Sequence, residues 1–353
     1  MAPRRFLNDT DRYSSRALWV IALAVLALLT ATCSFSDRPP NLRVPRMPAP
    51  PPPLRSVSVP MEALALSSDG NRLLLVDRTQ HRVEIADWQT KTEPLPMQEV
   101  PCRVVGYVAE FSPDGRRVAH VCHDGQIVVW DASTGRRIFT SDCNFNLRYP
   151  QTITWSMDGS RLAAACPQSV FVWDIATGKQ TAHFPRLPYD AAVCHLSFTA
   201  SGQLVSADSQ GGLWFWSATG DALRHVRFDR EICEQMIMRP DEKEFALVQN
   251  RPPAVGLVHD LVLWNPETRE MRRLAALDAD WPVPVAYSSD GKLLVVNLMG
   301  GSAASSAAVF SIAENRYVMT LSRQTLEKGV FRPDGKIVGI INRKVHSWQC
   351  CGK

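Results

Sequence analysis

The sequence has no Cys-x-x-Cys pair and no Gly-x-Ser-x-Gly segment anywhere in its 353 residues. The first absence removes the usual cysteine spacing of a zinc site, and the second removes the nucleophile elbow of an α/β-type serine hydrolase. The sequence also has no large excess of one charge sign, because it contains 39 basic and 35 acidic residues and its formal net charge is +4. These charges are spread along the chain, so we do not expect it to bind nucleic acid.

The sequence does contain a turn that recurs seven times, usually as Asp-Gly between two apolar strands. The last residues of these turns are Gly70, Gly115, Gly159, Gly202, Glu242, Gly291 and Gly335. Their separation ranges from 40 residues (202 to 242) to 49 residues (242 to 291). A strand-built repeat of this length is typical of a closed β-propeller with one four-stranded blade per repeat. The sequence therefore predicts an all-β, seven-bladed propeller of four-stranded antiparallel blades.

The third strand of most repeats ends in an aromatic residue that is followed by a second turn. Tryptophan occupies this position five times, as Trp130, Trp173, Trp216, Trp264 and Trp348. Asp131 and Asp174 follow two of them, and Asp124 stands in the turn before Trp130. On these residues the repeats resemble the WD-repeat family, which implies a propeller that serves as an interaction scaffold. The family's Gly-His pair has no match, so we expect the blades to cohere by apolar packing more than by buried hydrogen bonds.

The seventh repeat contains three strands and no outer fourth one. Residues 54–59, which precede the first blade, are predicted to supply it, so that the propeller comprises residues 54–353. Pairing the two ends of the chain in one blade removes an open sheet edge and closes the ring.

The residues before the propeller divide into a polar segment (1–16), an apolar segment (17–36) and a proline-rich segment (37–53). An apolar helix of about 20 residues spans a bilayer, so we predict that residues 17–36 are a transmembrane signal anchor. A cleaved signal, or a lipid-carrying Cys33, is the alternative. The proline-rich segment is expected to be an extended spacer. These features predict a single-pass membrane protein whose propeller lies outside the cytoplasm.

The nine cysteines do not decide the compartment. Cys122 and Cys166 occupy the same position in successive repeats and alternate with apolar neighbours, so we predict that both are small buried core residues. Cys350 and Cys351 are adjacent at the end of the chain and are expected to be two thiols.

Two classes of propeller enzyme can be compared with these residues. The turns 131–135 and 174–178 are similar to those of quinoprotein dehydrogenases, but the glycine-tryptophan packing of those blades is absent. A metal-dependent hydrolase would need converging acidic and histidine side chains, for which the candidates are Glu62, Glu110, His195 and Glu234. They stand at different heights in the repeat, so we expect them to face the water of the channel rather than one ion. The sequence predicts no catalytic residue, no metal and no cofactor.

Partner binding is predicted on the loops at the propeller rim, because aromatic and arginine side chains are the usual anchors of an interface. The candidates are Arg148, Tyr149, Arg186, Tyr189, Arg251 and Trp281. The alternative for Tyr149, Tyr189 and Trp281 is that they fill gaps between blades. We predict a membrane-tethered, non-catalytic scaffold for a protein or peptide. The alternative function is a propeller that binds or hydrolyses a small molecule or glycan at its central channel, or one similar to a quinoprotein.

Overall fold

The computed structural model describes residues 47, 49–90, 92–100, 108–122, 125–141, 152–166, 169–184, 191–228, 232–250, 259–274, 279–300 and 305–350. Within these residues, 28 strands form seven four-stranded antiparallel sheets. The predicted anchor (17–36) lies outside the described residues, as does most of the proline-rich segment (37–53). Among the residues that are described, no helix has the length and apolar character needed to cross a membrane.

Each of the first three blades is built from four consecutive strands, which follow one another from the inside of the ring outwards. Blade 1 contains β2 (Glu62–Leu66), β3 (Arg72–Asp77), β4 (Arg82–Asp87) and β5 (Leu95–Pro96). Blade 2 contains β6 (Ala109–Phe111), β7 (Arg117–Val121), β8 (Ile127–Asp131) and β9 (Arg137–Thr140). Blade 3 contains β10 (Ile153–Trp155), β11 (Arg161–Cys166), β12 (Ser169–Asp174) and β13 (Gln180–Phe184).

The next three blades follow the same order. Blade 4 contains β14 (Val193–Phe198), β15 (Leu204–Asp208), β16 (Gly212–Trp216) and β17 (Ala222–Arg227). Blade 5 contains β18 (Ile232–Met238), β19 (Phe245–Asn250), β20 (His259–Trp264) and β21 (Met271–Arg273). Blade 6 contains β22 (Trp281–Tyr287), β23 (Leu293–Met299), β24 (Ser306–Ser311) and β25 (Arg316–Ser322).

The seventh blade combines the two ends of the domain. Its strands are β26 (Lys328–Phe331), β27 (Lys336–Ile341), β28 (Lys344–Gln349) and, at the outer edge, β1 (Arg55–Ser58). β1 runs antiparallel to β28, with Arg55 opposite Ser347. The amide of Leu54 adds a hydrogen bond of 2.7 Å to the Ser347 carbonyl. The N-terminal ribbon therefore covers an edge that would otherwise expose unpaired backbone groups.

The innermost strands of the seven blades contact one another in a closed circle, from β2 through β6, β10, β14, β18 and β22 to β26 and back to β2. Apolar side chains fill the space between neighbouring blades; Trp130, Trp264 and Trp348 are among the largest that are fully buried. The prediction of an all-β propeller with seven four-stranded antiparallel blades is confirmed.

The recurring Asp-Gly turn is held by its own side chains, as the turn of blade 2 shows. The Ser112 hydroxyl donates to the Asp114 carboxylate (2.6 Å), and the amide of Arg117 donates to the Ser112 hydroxyl (2.9 Å). The amide of Gly115 donates to the Ser112 carbonyl (2.7 Å) with a φ of 67°, which glycine adopts without steric cost. The same serine-aspartate bond occurs at Ser67, Ser156 and Ser288.

Arginine side chains join consecutive blades, a device that no local sequence pattern indicated. Three arginines, each two residues after a turn glycine, donate to the glycine carbonyl of the next blade's turn: Arg72 to Gly115 (2.6 Å), Arg117 to Gly159 (2.6 Å) and Arg161 to Gly202 (3.1 Å). Between the last and first blades, Arg332 donates to Asn71 Oδ1 (2.7 Å). The expectation that apolar packing dominates cohesion was therefore incomplete, because partly buried hydrogen bonds from charged donors reinforce it.

Candidate functional site

A cavity of about 720 Å³ lies within the circle of innermost strands. Strands β6, β10, β14 and β18 form its wall, and Lys328 of β26 reaches it from blade 7. The turns after these strands form one side of it, where Met157 is 60% exposed. The cavity is thus bordered mainly by blades 2 to 5, and its wall mixes apolar, hydroxyl and ionisable side chains.

Glu110 is the acid of this cavity whose pKa is raised by its surroundings. It stands on β6 between the buried residues Ala109 and Phe111 and is itself partly exposed where it lines the cavity, and no described group forms a hydrogen bond with its carboxyl. Burial raises the pKa of Glu110 from 4.5 to about 8, although the nearby ammonium of Lys328 acts in the opposite direction. Desolvation outweighs the attraction of the cation at this position, so Glu110 is mostly protonated and neutral at pH 7.

A bulge in β14 brings two further side chains to the wall. The register between β14 and β15 shifts between Val193 and His195, and both Cys194 and His195 line the cavity. An extra residue in one strand re-aims the side chains around it. Burial lowers the pKa of His195 from 6.5 to about 4, so its imidazole is neutral at pH 7. The Cys194 thiol lies 3.5 Å from the Ala192 carbonyl, to which it donates.

The four candidates for a metal site do not share one environment. Glu62 is held by Arg78 through bonds of 2.7 and 2.9 Å, whereas Glu110 and His195 line the cavity. The side chain of Glu234 is outside the described residues. The described part of the chain contains no cluster of three or more histidine, cysteine, aspartate or glutamate side chains placed to hold a metal ion.

Most of the predicted rim residues lie outside the described residues, namely Arg148, Tyr149, Arg186, Tyr189 and Arg251. Trp281 is described and begins the innermost strand of blade 6. Its ring stacks on His259 with centroids 4.6 Å apart, and it packs against the apolar cluster shared by blades 5 and 6. Part of its surroundings is therefore protein interior, so its replacement would disturb packing as well as any surface.

The recurring tryptophan and aspartate residues have structural roles. All five tryptophans are buried. The indole of Trp130 donates to the Gln98 carbonyl (2.9 Å), and that of Trp216 donates to the Ser206 hydroxyl (2.9 Å). Asp131 accepts the amides of Ser133 and Thr134, both at 2.9 Å, and Asp174 accepts the amide of Thr177 at 2.8 Å. Asp124 lies outside the described residues. These positions hold turns and fill blade interfaces.

Sequence reasoning missed two buried features. Asp208 is 4% exposed and accepts the amide of Gly212 and the indole of Trp214, each at 2.9 Å. Its signal was the single charged residue at the end of a strand that is otherwise uncharged. Cys122 is buried as predicted but is also disulfide-bonded, to a cysteine whose side chain the structure does not describe.

Comparison with known proteins agrees with this architecture. Residues 102–131, which include most of blade 2, match the family model described as WD domain, G-beta repeat. Telomerase protein component 1 of Rattus norvegicus is 27% identical over 149 residues, which cover 39% of this chain and 6% of the rat protein. The similarity therefore spans only a small part of that relative.

Solved structures with a similar fold include a hydrazine synthase chain of Kuenenia stuttgartiensis, with a TM-score of 0.65 and 15% identity over 84% of this chain and 98% of that one. They also include the β-propeller domain of Cps50 (Swd1) from Myceliophteria thermophila, with a TM-score of 0.60 and 14% identity over 84% of this chain and all of that one. Identities this low show the shared fold alone. The class of the protein is thus a seven-bladed β-propeller. Within this ring, residues 102–131 of blade 2 are similar to a WD-type repeat.

Proposed function

We propose that this chain is a membrane-tethered, non-catalytic scaffold whose propeller binds a protein or peptide. The observation that carries the proposal is the WD-repeat match on a closed seven-bladed ring, because propellers of this family typically bind protein partners. A ring whose blades are joined by buried apolar clusters and arginine bonds is a rigid support. Rigid support lets surface loops bind with little loss of conformational entropy.

The proposed anchors of the partner are the rim residues Arg148, Tyr149, Arg186, Tyr189, Arg251 and Trp281. The test is crosslinking of the full chain to its partner in native membranes, comparing the double variant Tyr149→Ala/Tyr189→Ala with the parent. Leu223→Ala is the matched control, since Leu223 is a large apolar side chain 55% exposed on the outer strand β17.

We expect the double variant to lose its crosslinked partner and the control to keep it. Trp281→Ala belongs in a separate experiment with a melting curve, because its stacking on His259 makes a loss of stability the first effect. If the double variant crosslinks the same proteins in the same amounts as the control, the rim is not the binding surface.

The proposed tether is the apolar segment 17–36, with the propeller outside the cytoplasm. The length of the apolar segment supports the tether, since about 20 apolar residues span a bilayer. The disulfide at Cys122 supports the orientation, because disulfides form and persist in oxidising compartments. Protease access in intact cells tests it, together with non-reducing mass mapping of the Cys122 peptide. Digestion of the propeller only after cell lysis, with Cys122 recovered as a thiol, would contradict this placement.

A second candidate function is small-molecule binding or turnover in the central cavity, which the volume of about 720 Å³ favours. One of the similar structures is named as a hydrazine synthase, so the fold alone does not exclude an enzyme. Metal analysis of the purified full chain separates the candidates, because a metal-dependent hydrolase requires a stoichiometric ion whereas a scaffold does not.

A further inference from the structure

Most ionisable groups near Glu110 are engaged by a partner or neutral, whereas Lys328 acts on Glu110 through its charge. Glu62 pairs with Arg78, and Arg239 pairs with Glu244 (3.1 Å) and Asp241 (3.4 Å). The other titratable or charged groups on the cavity wall or on strands packed against β6 are Arg117, His120, Cys194, His195, Glu242 and Lys328. Arg117 donates to the Gly159 carbonyl, and the Cys194 thiol donates to the Ala192 carbonyl. Both histidines have a pKa lowered by burial to about 4, and Glu242 accepts the amide of Ala200. Glu110 therefore presents a partly exposed carboxyl of raised pKa to the cavity, without a described hydrogen-bond partner.

Hydroxyl groups stand at the equivalent level of the two following blades. Glu110 directly precedes Phe111 on β6, Thr154 directly precedes Trp155 on β10, and Ser197 directly precedes Phe198 on β14. Three equivalent wall positions on blades 2, 3 and 4 thus all carry oxygen acceptors. Ile237 and the exposed Met157 add apolar surface to the same cavity. The wall combines oxygen acceptors with a lining suited to an aliphatic chain.

We propose that this cavity binds a basic side chain of the partner, a lysine or arginine, and that Glu110 releases its proton to solvent when the cation binds. The inference rests on the proposed role in peptide binding and specifies the chemistry of the peptide. An adjacent cation stabilises the ionised form of a carboxyl, and it does so more strongly in a low-dielectric cavity than in water. The oxygen acceptors lie on blades 2 to 4, whereas the ammonium of Lys328 enters from blade 7. The cation therefore docks against the oxygen acceptors of blades 2 to 4.

The proposal predicts a binding equilibrium that depends on pH in a defined direction. With a pKa of about 8 in the empty cavity, Glu110 carries a proton at pH 7, and an adjacent cation lowers that pKa. The complex then holds fewer protons than the free components. Proton linkage therefore predicts that about 0.9 proton is released per bound ligand at pH 7. The affinity for the cation should rise by about tenfold from pH 6 to pH 7 and reach a plateau above pH 8.

The experiment is isothermal titration calorimetry of the full chain with the neutral-ended tripeptide acetyl-Gly-Lys-Gly-amide. Two buffers with different ionisation enthalpies at pH 7 give the number of protons released. The peptides acetyl-Gly-Gln-Gly-amide and acetyl-Gly-Glu-Gly-amide differ from the probe only in the central residue, which is neutral in one and acidic in the other. We expect binding of the lysine peptide with proton release and at least tenfold weaker binding of the other two.

Glu110→Gln is the matched variant, because the amide keeps the shape of the protonated acid and cannot ionise. It should abolish the proton release and weaken the lysine peptide by at least tenfold at pH 9, while Glu62→Gln keeps both properties. Preference for the glutamate peptide, binding without proton release, absence of binding, or an unchanged Glu110→Gln variant would each overturn the proposal. Loss of rim crosslinking in Tyr149→Ala/Tyr189→Ala with lysine binding intact supports both surfaces. Unchanged crosslinking with lysine binding intact would instead refute the proposed rim surface and leave the cavity assignment standing.

Discussion

Replacing Arg117 by alanine measures how much the arginine bonds between blades contribute to the ring. The Arg117 guanidinium donates to the Gly159 carbonyl of the next blade at 2.6 Å, in a partly buried position. A hydrogen bond to a charged group contributes about 1.5–3 kcal/mol, so we expect Arg117→Ala to lower the free energy of unfolding by about 2 kcal/mol. For domains of about 150–250 residues, each kcal/mol lost from the free energy of unfolding lowers the Tm by about 2–4 °C, and we expect a similar shift here.

The neighbouring Arg116 supplies the control. Its side chain is 84% exposed and its nearest acid, Asp114, is 3.9 Å away. Exposed pairs of this kind contribute about 0–1 kcal/mol, so Arg116→Ala should change stability by about 0.5 kcal/mol or less. Equilibrium urea denaturation of both variants, with equal m values, gives the comparison. Because the acceptor of Arg117 is a neutral carbonyl, salt at about 0.5 M should not erase its effect. Equal losses in the two variants would refute the view that Arg117 joins the blades.

Three further predictions concern the closure of the ring, the cavity acid Glu110 and the buried aspartate Asp208. Deleting the chain through Pro60 uncovers β28 and should lower the Tm and solubility of the domain, measured by calorimetry and light scattering; an unchanged melting curve contradicts closure by the N-terminal ribbon. The folded-state pKa of Glu110, raised from 4.5 to about 8, means that its contribution to stability is complete below pH 4.5 and is lost as the pH rises through 8. The difference in unfolding free energy between the parent and Glu110→Gln should therefore change across this window, and a flat difference from about pH 5 to 9 counts against a neutral Glu110. Asp208→Ala removes the acceptor of the Trp214 indole and should cost about 1–3 kcal/mol in urea denaturation, whereas Asp221→Ala, on an exposed turn, should cost about 0.5 kcal/mol or less. Equal costs for these two aspartates would contradict the structural role of Asp208.

The number of blades was predictable because each repeat carries its own local signal. Strand, turn and tryptophan are set by interactions within a few residues, as the bond between Ser112 and Asp114 shows. A signal that repeats seven times is also difficult to produce by chance. The architecture followed from these local preferences, without knowledge of any contact between repeats.

The bonds between blades were harder to predict because they join residues about one repeat apart. Arg72, Arg117 and Arg161 stand two residues after their turn glycines, so a positional regularity existed in the sequence. Nothing local, however, indicates where a flexible arginine will find its acceptor. Only the angle between two adjacent sheets brings the guanidinium to the glycine carbonyl.

The candidate site was only partly predictable. Glu110 and His195 were identified as residues of innermost strands, but their heights in the repeat argued against a shared site. The bulge between Val193 and His195 changes the register of β14, and a pattern of alternating residues does not reveal such a bulge. The strongly raised pKa of Glu110 likewise depends on the walls of blades 2 to 5 and not on its neighbours in the sequence.

The pairing of β1 with β28 has a consequence for synthesis. β1 leaves the ribosome before any other part of the propeller, yet its partner strand is among the last segments to be translated. Until then β1 lacks its native partner, and the first six blades have no closing neighbour. The nascent chain is therefore exposed to wrong strand pairing for almost the whole of translation.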